Sequence, residues 1–238
     1  DPTFNIGTGI NGGISYSNAD SIILQPDGKI LVGGDFNSYN GNTRYKLIRL
    51  NVDQSIDTSF DTGKGFVNTD IVSAVALQPD GKILVGGRFT SYNGNNKYNS
   101  LVRLNPNGTI DTSFNLGGIG FYVGPNNVVM SIIVQPDNKI LVAGDLSSYN
   151  NDAQATRKII RLNSDGTSDI NFYNSSLTDI NNSASFVKVF TLALQPDGKI
   201  LAGGDFSKLS GGNQNKLIRL NANNGLRDPT FNIGSGFD

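Results

Sequence analysis

The apolar positions of this chain come in short runs rather than in helical stripes. Four nearly continuous apolar stretches, SIIL at 21–24, AVAL at 74–77, SIIV at 131–134 and TLAL at 191–194, each stop at a glutamine. A run of this length bounded by turn residues predicts a strand buried on both faces, interior to a sheet. Pro-Asp-Gly follows, or Pro-Asp-Asn at 136–138, and predicts a tight hairpin turn with a residue suited to positive φ. Next comes ILVGGDF or a close variant, whose paired small residues leave room for a neighbouring sheet. A longer loop leads to a third strand of the KLIRLN type. A second short turn leads to a fourth strand ending at Phe60, Phe114, Phe172 or Phe231. Pro229 places the last of these at a sheet edge, since proline cannot donate to a ladder.

This order recurs four times. Gln25, Gln78, Gln135 and Gln195 mark the units at spacings of 53, 57 and 60 residues. LIRLN at 47–51 returns as LVRLN at 101–105, IIRLN at 159–163 and LIRLN at 217–221. DTSF at 57–60 and 111–114 becomes DINF at 169–172 and DPTF at 228–231. The expected fold is all-β: a β-propeller of four-stranded antiparallel blades, in one repeat domain over 1–238. The units run at about 14–60, 67–114, 126–172 and 184–231. A β-solenoid is the competing architecture; the tight hairpin turns favour blades. Residues 1–13 open on DPTFNIGTG, a second copy of the closing DPTFNIGSG, and read as the tail of a preceding unit. On this reading the four units are cut from a longer array.

The wording LQPDGKILVGGDF…RLNxDGSxDxSF resembles the delta-60 repeat family of β-propellers, whose blades are similar in form to the NHL type. The resemblance covers all four units. It implies a fold and a frequent place in large secreted, surface or phage-structural chains, and it implies no catalytic residue.

Composition narrows the chemistry. The chain has no His and no Cys, and all 20 of its acidic residues are Asp. The commonest general base, the commonest metal ligand and any thiol nucleophile are therefore missing. A formal net charge of -1 with 16% charged residues provides no basic stripe for nucleic acid, and no apolar run is long enough for a membrane-spanning helix. No cofactor or metal is expected. NSDGTSD at 163–169 has the look of an acidic calcium loop, but Arg161 precedes it and the equivalent NVDQSID and NPNGTID lose its Gly or its central Asp. It reads as a hairpin turn. Asp35, Asp145 and Asp205 recur at one position, replaced by Arg88 in the second unit, while Arg49, Arg103, Arg161 and Arg219 recur on the third strand and Asp57, Asp111, Asp169 and Asp228 on the fourth. Repetition in every unit reads as cross-strand pairing or turn capping rather than as an active site.

The two hairpin turns of a unit hardly vary, and the other two connections do. In an up-down blade these two variable connections leave on the same side. All eight tyrosines fall in the connections. Of these, Tyr39, Tyr45, Tyr92, Tyr98, Tyr122, Tyr149 and Tyr173 are the candidate ligand-binding residues, and Tyr16 lies in the same class of loop. A Tyr/Ser/Gly/Asn surface suits recognition of a protein or a glycan; the competing role for the repeated Tyr39, Tyr92 and Tyr149 is packing onto their own blade. The expected function is a non-enzymatic interaction or structural module, extracellular or on a virion surface (phage tail, fibre or decoration). Its partners would be a surface protein or glycan and neighbouring repeats or subunits, with no nucleic acid and no membrane insertion. The alternatives are a carbohydrate-active enzyme using paired Asp and an intracellular scaffold.

Overall fold

A computed structural model describes residues 7–13, 17–66, 70–121, 127–146, 148–150, 158–172, 177–178, 187–209, 212–213, 216–234 and 237. Among them there is no helix. The chain divides into two compact units, 1–114 and 115–238, and each carries two repeats.

The first unit holds strands β1 (Asn18–Leu24), β2 (Ile30–Asp35) and β3 (Leu47–Leu50), then β4 (Ile71–Leu77), β5 (Ile83–Arg88) and β6 (Leu101–Leu104). The second unit holds β7 (Val128–Val134), β8 (Ile140–Asp145) and β9 (Ile159–Leu162), then β10 (Lys188–Leu194), β11 (Ile200–Asp205) and β12 (Leu217–Leu220). Each repeat has one main antiparallel sheet, in the order β1-β2-β3 and its equivalents, and the first and fourth repeats add a small sheet of two-residue strands, Ile10–Asn11, Ser38–Tyr39 and Asn42–Thr43 in the first and Leu177–Thr178, Lys208–Leu209 and Gly212–Asn213 in the fourth. The central strand is therefore the second and not the first, and in the first three repeats it is also the more buried of the two. β2 buries five of its six residues, whereas Ile22 and Leu24 of β1 are 66% and 71% exposed. Val75 and Leu192, the equivalents of Ile22, are buried, and Leu77 and Leu194, the equivalents of Leu24, are partly so, because in each unit the sheet of the earlier repeat packs over them.

The expected fourth strand shrinks to a single bridge: Leu50 to Ile56, Leu104 to Ile110, Leu162 to Ser168 and Leu220 to Arg227. An aspartate ends the pairing. Asp57 Oδ1 accepts from the Ser59 amide at 2.9 Å and its hydroxyl at 2.6 Å, and the Phe60 amide donates to the Asp57 carbonyl. This local turn competes with the ladder for the backbone. Pro229 sits inside the equivalent turn, where its fixed φ suits the second position, rather than on an edge strand.

The glycine pair has two separate roles. A Cβ on Gly34 would lie 2.0 Å from the Asn18 carbonyl oxygen of its own sheet, at a bulge where Ala19 pairs with Gly34 and Ser21 with Gly33, leaving Asp20 extra. Gly87, Gly144 and Gly204 meet the same obstruction. Gly33 instead admits the next blade, with Val72 Cγ1 2.5 Å and Val75 Cγ2 3.0 Å from a virtual Cβ. Strand alternation then sorts the core. Leu31 faces the second sheet with Ile83 and Val85, while Val32, Phe36 and Tyr39 pack on the opposite face. In the second unit Leu141, Ala143 and Ile159 pack against Val189, Ile200 and Ala202 of the following sheet. The Val75 amide donates to Ser21 Oγ at 3.0 Å and the Leu192 amide to Ser131 Oγ at 3.1 Å, so both pairs of sheets are tied in the same way.

Candidate functional site

The three markers that recur in every unit converge on one cluster. Lys29 of the first hairpin turn and Arg49 of β3 both bind Asp57 Oδ2, at 2.8 and 2.7 Å. The Arg49 guanidinium lies over the Phe60 ring, 4.6 Å from its centroid, and donates to the Pro106 carbonyl of the next blade. Lys82, Arg103, Asp111 and Phe114 repeat the arrangement, as do Lys139, Arg161, Asp169 and Phe172, and Lys199, Arg219, Asp228 and Phe231. Burial pushes the carboxyls of Asp57, Asp111 and Asp169 up. Hydrogen bonds from the lysine and from the turn's hydroxyl or amide, together with the arginine, outweigh it and hold all three low, Asp111 at about 2. Asp228 is held low by the Thr230 hydroxyl and amide, Lys199 and Arg219. A second pair joins Lys46 to Asp35, Lys158 to Asp145 and Lys216 to Asp205, each at 2.7 Å. Lys46 has no exposed surface. The stretch NSDGT at 163–167 is a hairpin turn, closed by the Asn163 amide donating to the Thr167 carbonyl, with Asp165 Oδ1 accepting from the Thr167 amide and hydroxyl.

The tyrosines separate into groups. Tyr39, Tyr92 and Tyr149 are buried, at 3%, 1% and 3% exposure. Their hydroxyls donate to the carbonyls of Gln54, Gly108 and Gly166, in the second hairpin turn of the same blade. Burial pushes all three phenols up. These side chains offer no ring face to a ligand, which corrects their place among the candidates. The segment entering each blade covers them. Ile10–Asn11 pairs with Ser38–Tyr39, Phe66 packs on Tyr92 at 4.9 Å between ring centroids, and Phe121 packs on Tyr149 at 4.9 Å. The next residue, Asn40, Asn93 or Asn150, adopts positive φ and turns its side-chain oxygen onto the amide of Gly9, Lys64 or Gly120. The start of this connection in the first three repeats is thus scaffold. Tyr98 is buried as well, and its phenol is pushed up by burial and by Asp111. Tyr16, Tyr122 and Tyr173 lie outside the described residues.

Tyr45 alone among the described tyrosines is only half-buried, and it lines a cleft of about 260 Å³ in the first unit. One wall is Thr43, Arg44 and Tyr45, between β2 and β3. The other is Thr58, Phe60, Asp61, Thr62, Gly63 and Lys64, on the run toward β4. Asp61 Oδ1 accepts from the Gly63 amide at 2.8 Å and the Asp61 amide donates to the Asn107 carbonyl, which fixes this wall. Arg44 donates once, to the Thr43 carbonyl at 2.7 Å. Sequence reasoning selected Tyr45 for its ring and passed over Arg44 and Lys64. Their mark in the sequence is that they are cations outside the repeated Lys–Arg–Asp pattern.

No functionally curated protein matches the chain. Among solved structures it is similar to a protein of B. thetaiotaomicron described as the extracellular domain of a one-component system, with 15% identity and a TM-score of 0.45 over 79% of this chain and 20% of that one. It is similar to a protein of unknown function from Bacteroides caccae, with 16% identity and a TM-score of 0.43 over 89% of this chain and 65% of that one. It is also similar to PorZ, a surface component of the type-IX secretion system of Porphyromonas gingivalis, with 14% identity and a TM-score of 0.42 over 89% of this chain and 26% of that one. The chain thus spans less than two thirds of the length of each of these proteins. A family model matches residues 25–60, 78–114, 135–172 and 195–231, one match per blade and more than half the chain, so the chain belongs to the β-propeller family described as domain of unknown function DUF5122.

Proposed function

We propose that this chain is a non-enzymatic interaction module, a set of propeller blades of the delta-60 type in an extracellular or virion-surface assembly. It holds a glycan or protein ligand through the unrepeated residues of its variable connections. The observation that carries this reading is the division of labour among polar groups. The recurrent aspartates are bound to Lys, Arg or the backbone of their own blade, while Arg44, Tyr45 and Lys64 meet at an open cleft. Carboxylates committed to guanidinium and ammonium partners are poorly placed for general acid–base work, which supports an interaction role over glycoside hydrolysis.

The test is a glycan array and a capture experiment against surface proteins. Both would compare the chain with a variant whose 42–45 and 61–64 segments are replaced by the corresponding segments of the second blade. Binding that the replacement abolishes supports the reading. Binding unaffected by the replacement, or turnover of any glycan by the chain, would sink it.

A further inference from the structure

Among the described residues, Arg44, Lys64, Arg88, Lys97 and Arg227 are the cations whose side chains have no carboxylate partner; every other described Lys or Arg side chain is within ion-pair distance of an aspartate. Two of these five, Arg44 and Lys64, line the same cleft from two separate segments of the chain. Asp61 shares that cleft, yet neither cation pairs with it, and its Oδ1 is taken by the Gly63 amide. Most of the described basic side chains are neutralised by an aspartate; here two unneutralised cations against the single carboxylate of Asp61 leave the concavity with a net positive charge. The pair also has no counterpart in the second blade, where Lys97 and Tyr98 repeat Arg44 and Tyr45 but Ile119 stands in the place of Lys64. Scaffold features here recur blade by blade, and this one does not.

The geometry points to this cleft as a binding site for a carboxylate-bearing sugar residue, a uronic or sialic acid unit of an acidic glycan. The assignment rests on the interaction-module reading and names the ligand class within it. Arg44 spends one N–H on the Thr43 carbonyl and keeps the rest of its planar fork for a carboxylate, which it can bind through two parallel hydrogen bonds. Lys64, in the lining of the same cleft, adds a second, point-like charge. The half-buried Tyr45 ring provides a surface for the C–H face of a pyranose. Thr43, Thr58 and Thr62 provide hydroxyls that both donate and accept, as sugar hydroxyls require. The cleft, of about 260 Å³ and open to solvent, has room for one sugar ring.

The experiment is amide NMR and calorimetric titration of the intact 238-residue chain. The probes are tri-galacturonate and sialyllactose, with galactotriose and lactose as neutral twins. The acidic probes are expected to shift the amides of Arg44, Tyr45, Gly63 and Lys64 and to bind at least about tenfold more tightly than their twins. Arg44→Gln and Lys64→Gln should each weaken acidic-probe binding about tenfold, Tyr45→Ala should weaken it similarly, and added salt should weaken it further. Thermal unfolding of the three variants monitors the fold, and Arg44→Lys keeps the charge while removing the fork.

Equal binding of acidic and neutral sugars, glutamine variants that bind like the parent, or no binding of either acidic probe at millimolar concentration each overturn the assignment. So does inorganic phosphate or an acidic peptide binding the cleft as tightly as the sugars, which would make it a general anion site. A neutral glycan or a protein bound elsewhere on the connections overturns the acidic-sugar assignment and leaves the interaction-module reading standing.

Discussion

Three glycines show that one residue type serves three purposes, and mutation can separate them. Gly34→Ala drives a Cβ onto a backbone oxygen that cannot give way, so a loss on the order of 3 kcal/mol is expected. Gly33→Ala meets only the side chains of Val72 and Val75, and Ala143 already occupies the equivalent position in the third repeat, so about 1 kcal/mol is expected. Gly41 has nothing within 4 Å of its virtual Cβ but a φ of 76°, and Gly41→Ala should cost roughly 1–2 kcal/mol through backbone strain alone. Urea unfolding of the three variants tests the order; a Gly34→Ala protein as stable as Gly33→Ala would refute the bulge explanation. Asp111→Asn leaves Arg103 and Lys82 facing a neutral amide in a buried setting and should cost about 3–5 kcal/mol by the same measurement. The pairing of aspartate with arginine was legible from their repetition. That the lysine of the hairpin turn joins the same carboxylate was not, because 28 residues separate Lys29 from Asp57 and only the folded sheet brings them together.

At the scale of elements, the stretch SYN followed by glycine is a clamp. Its tyrosine reaches the second hairpin turn of its own blade, and its asparagine holds the segment that enters that blade. Tyr92→Phe removes the hydroxyl that donates to the Gly108 carbonyl at 2.9 Å and leaves a buried acceptor unpaired, so a cost of about 1–3 kcal/mol is expected. Tyr45→Phe, at the rim of the cleft, should stay within about 0.5 kcal/mol. Equal effects from the two would mean that the Tyr92 hydroxyl is not structural. The hairpins could be read directly, since they rest on local turn chemistry; of the glycine pair only the role of Gly33, admitting the next sheet, was legible. Two element-level expectations failed for physical reasons. The first strand was expected to be interior because its apolar run is continuous, but that run serves a sheet neighbour on one side only. The fourth strand was expected to extend to Phe60, but Asp57 captures the next amides before a ladder can form. The cleft was legible only in part, because Arg44 and Lys64 lie 20 residues apart and belong to no repeated pattern.

At the scale of the molecule, the absence of His and Glu makes the pH response unusually simple. No side chain has an ordinary pKa between about 5 and 8, so stability should be flat across that range. The carboxyls of Asp57, Asp111, Asp169 and Asp228 are all held below the ordinary aspartate value, and each compact unit contains two of them. A group whose pKa is lower in the folded state contributes fully above its unfolded value, about 3.9 for aspartate. Below that value the unfolded chain takes up protons that the folded chain resists, so the contribution fades as pH falls, reaching the folded value of Asp111 at about 2. The melting temperature should therefore hold level from pH 8 to about 5 and then drop steeply between about 4 and 2. Because both units carry the same clusters, they should lose stability in one acid window rather than two. Asp111→Asn should lower the plateau and make the acid slope shallower, since one of the linked protonations is gone. A titration of melting temperature against pH checks this; an inflection near pH 6, or an Asp111→Asn slope equal to that of the parent, would show that the repeated clusters do not govern acid stability.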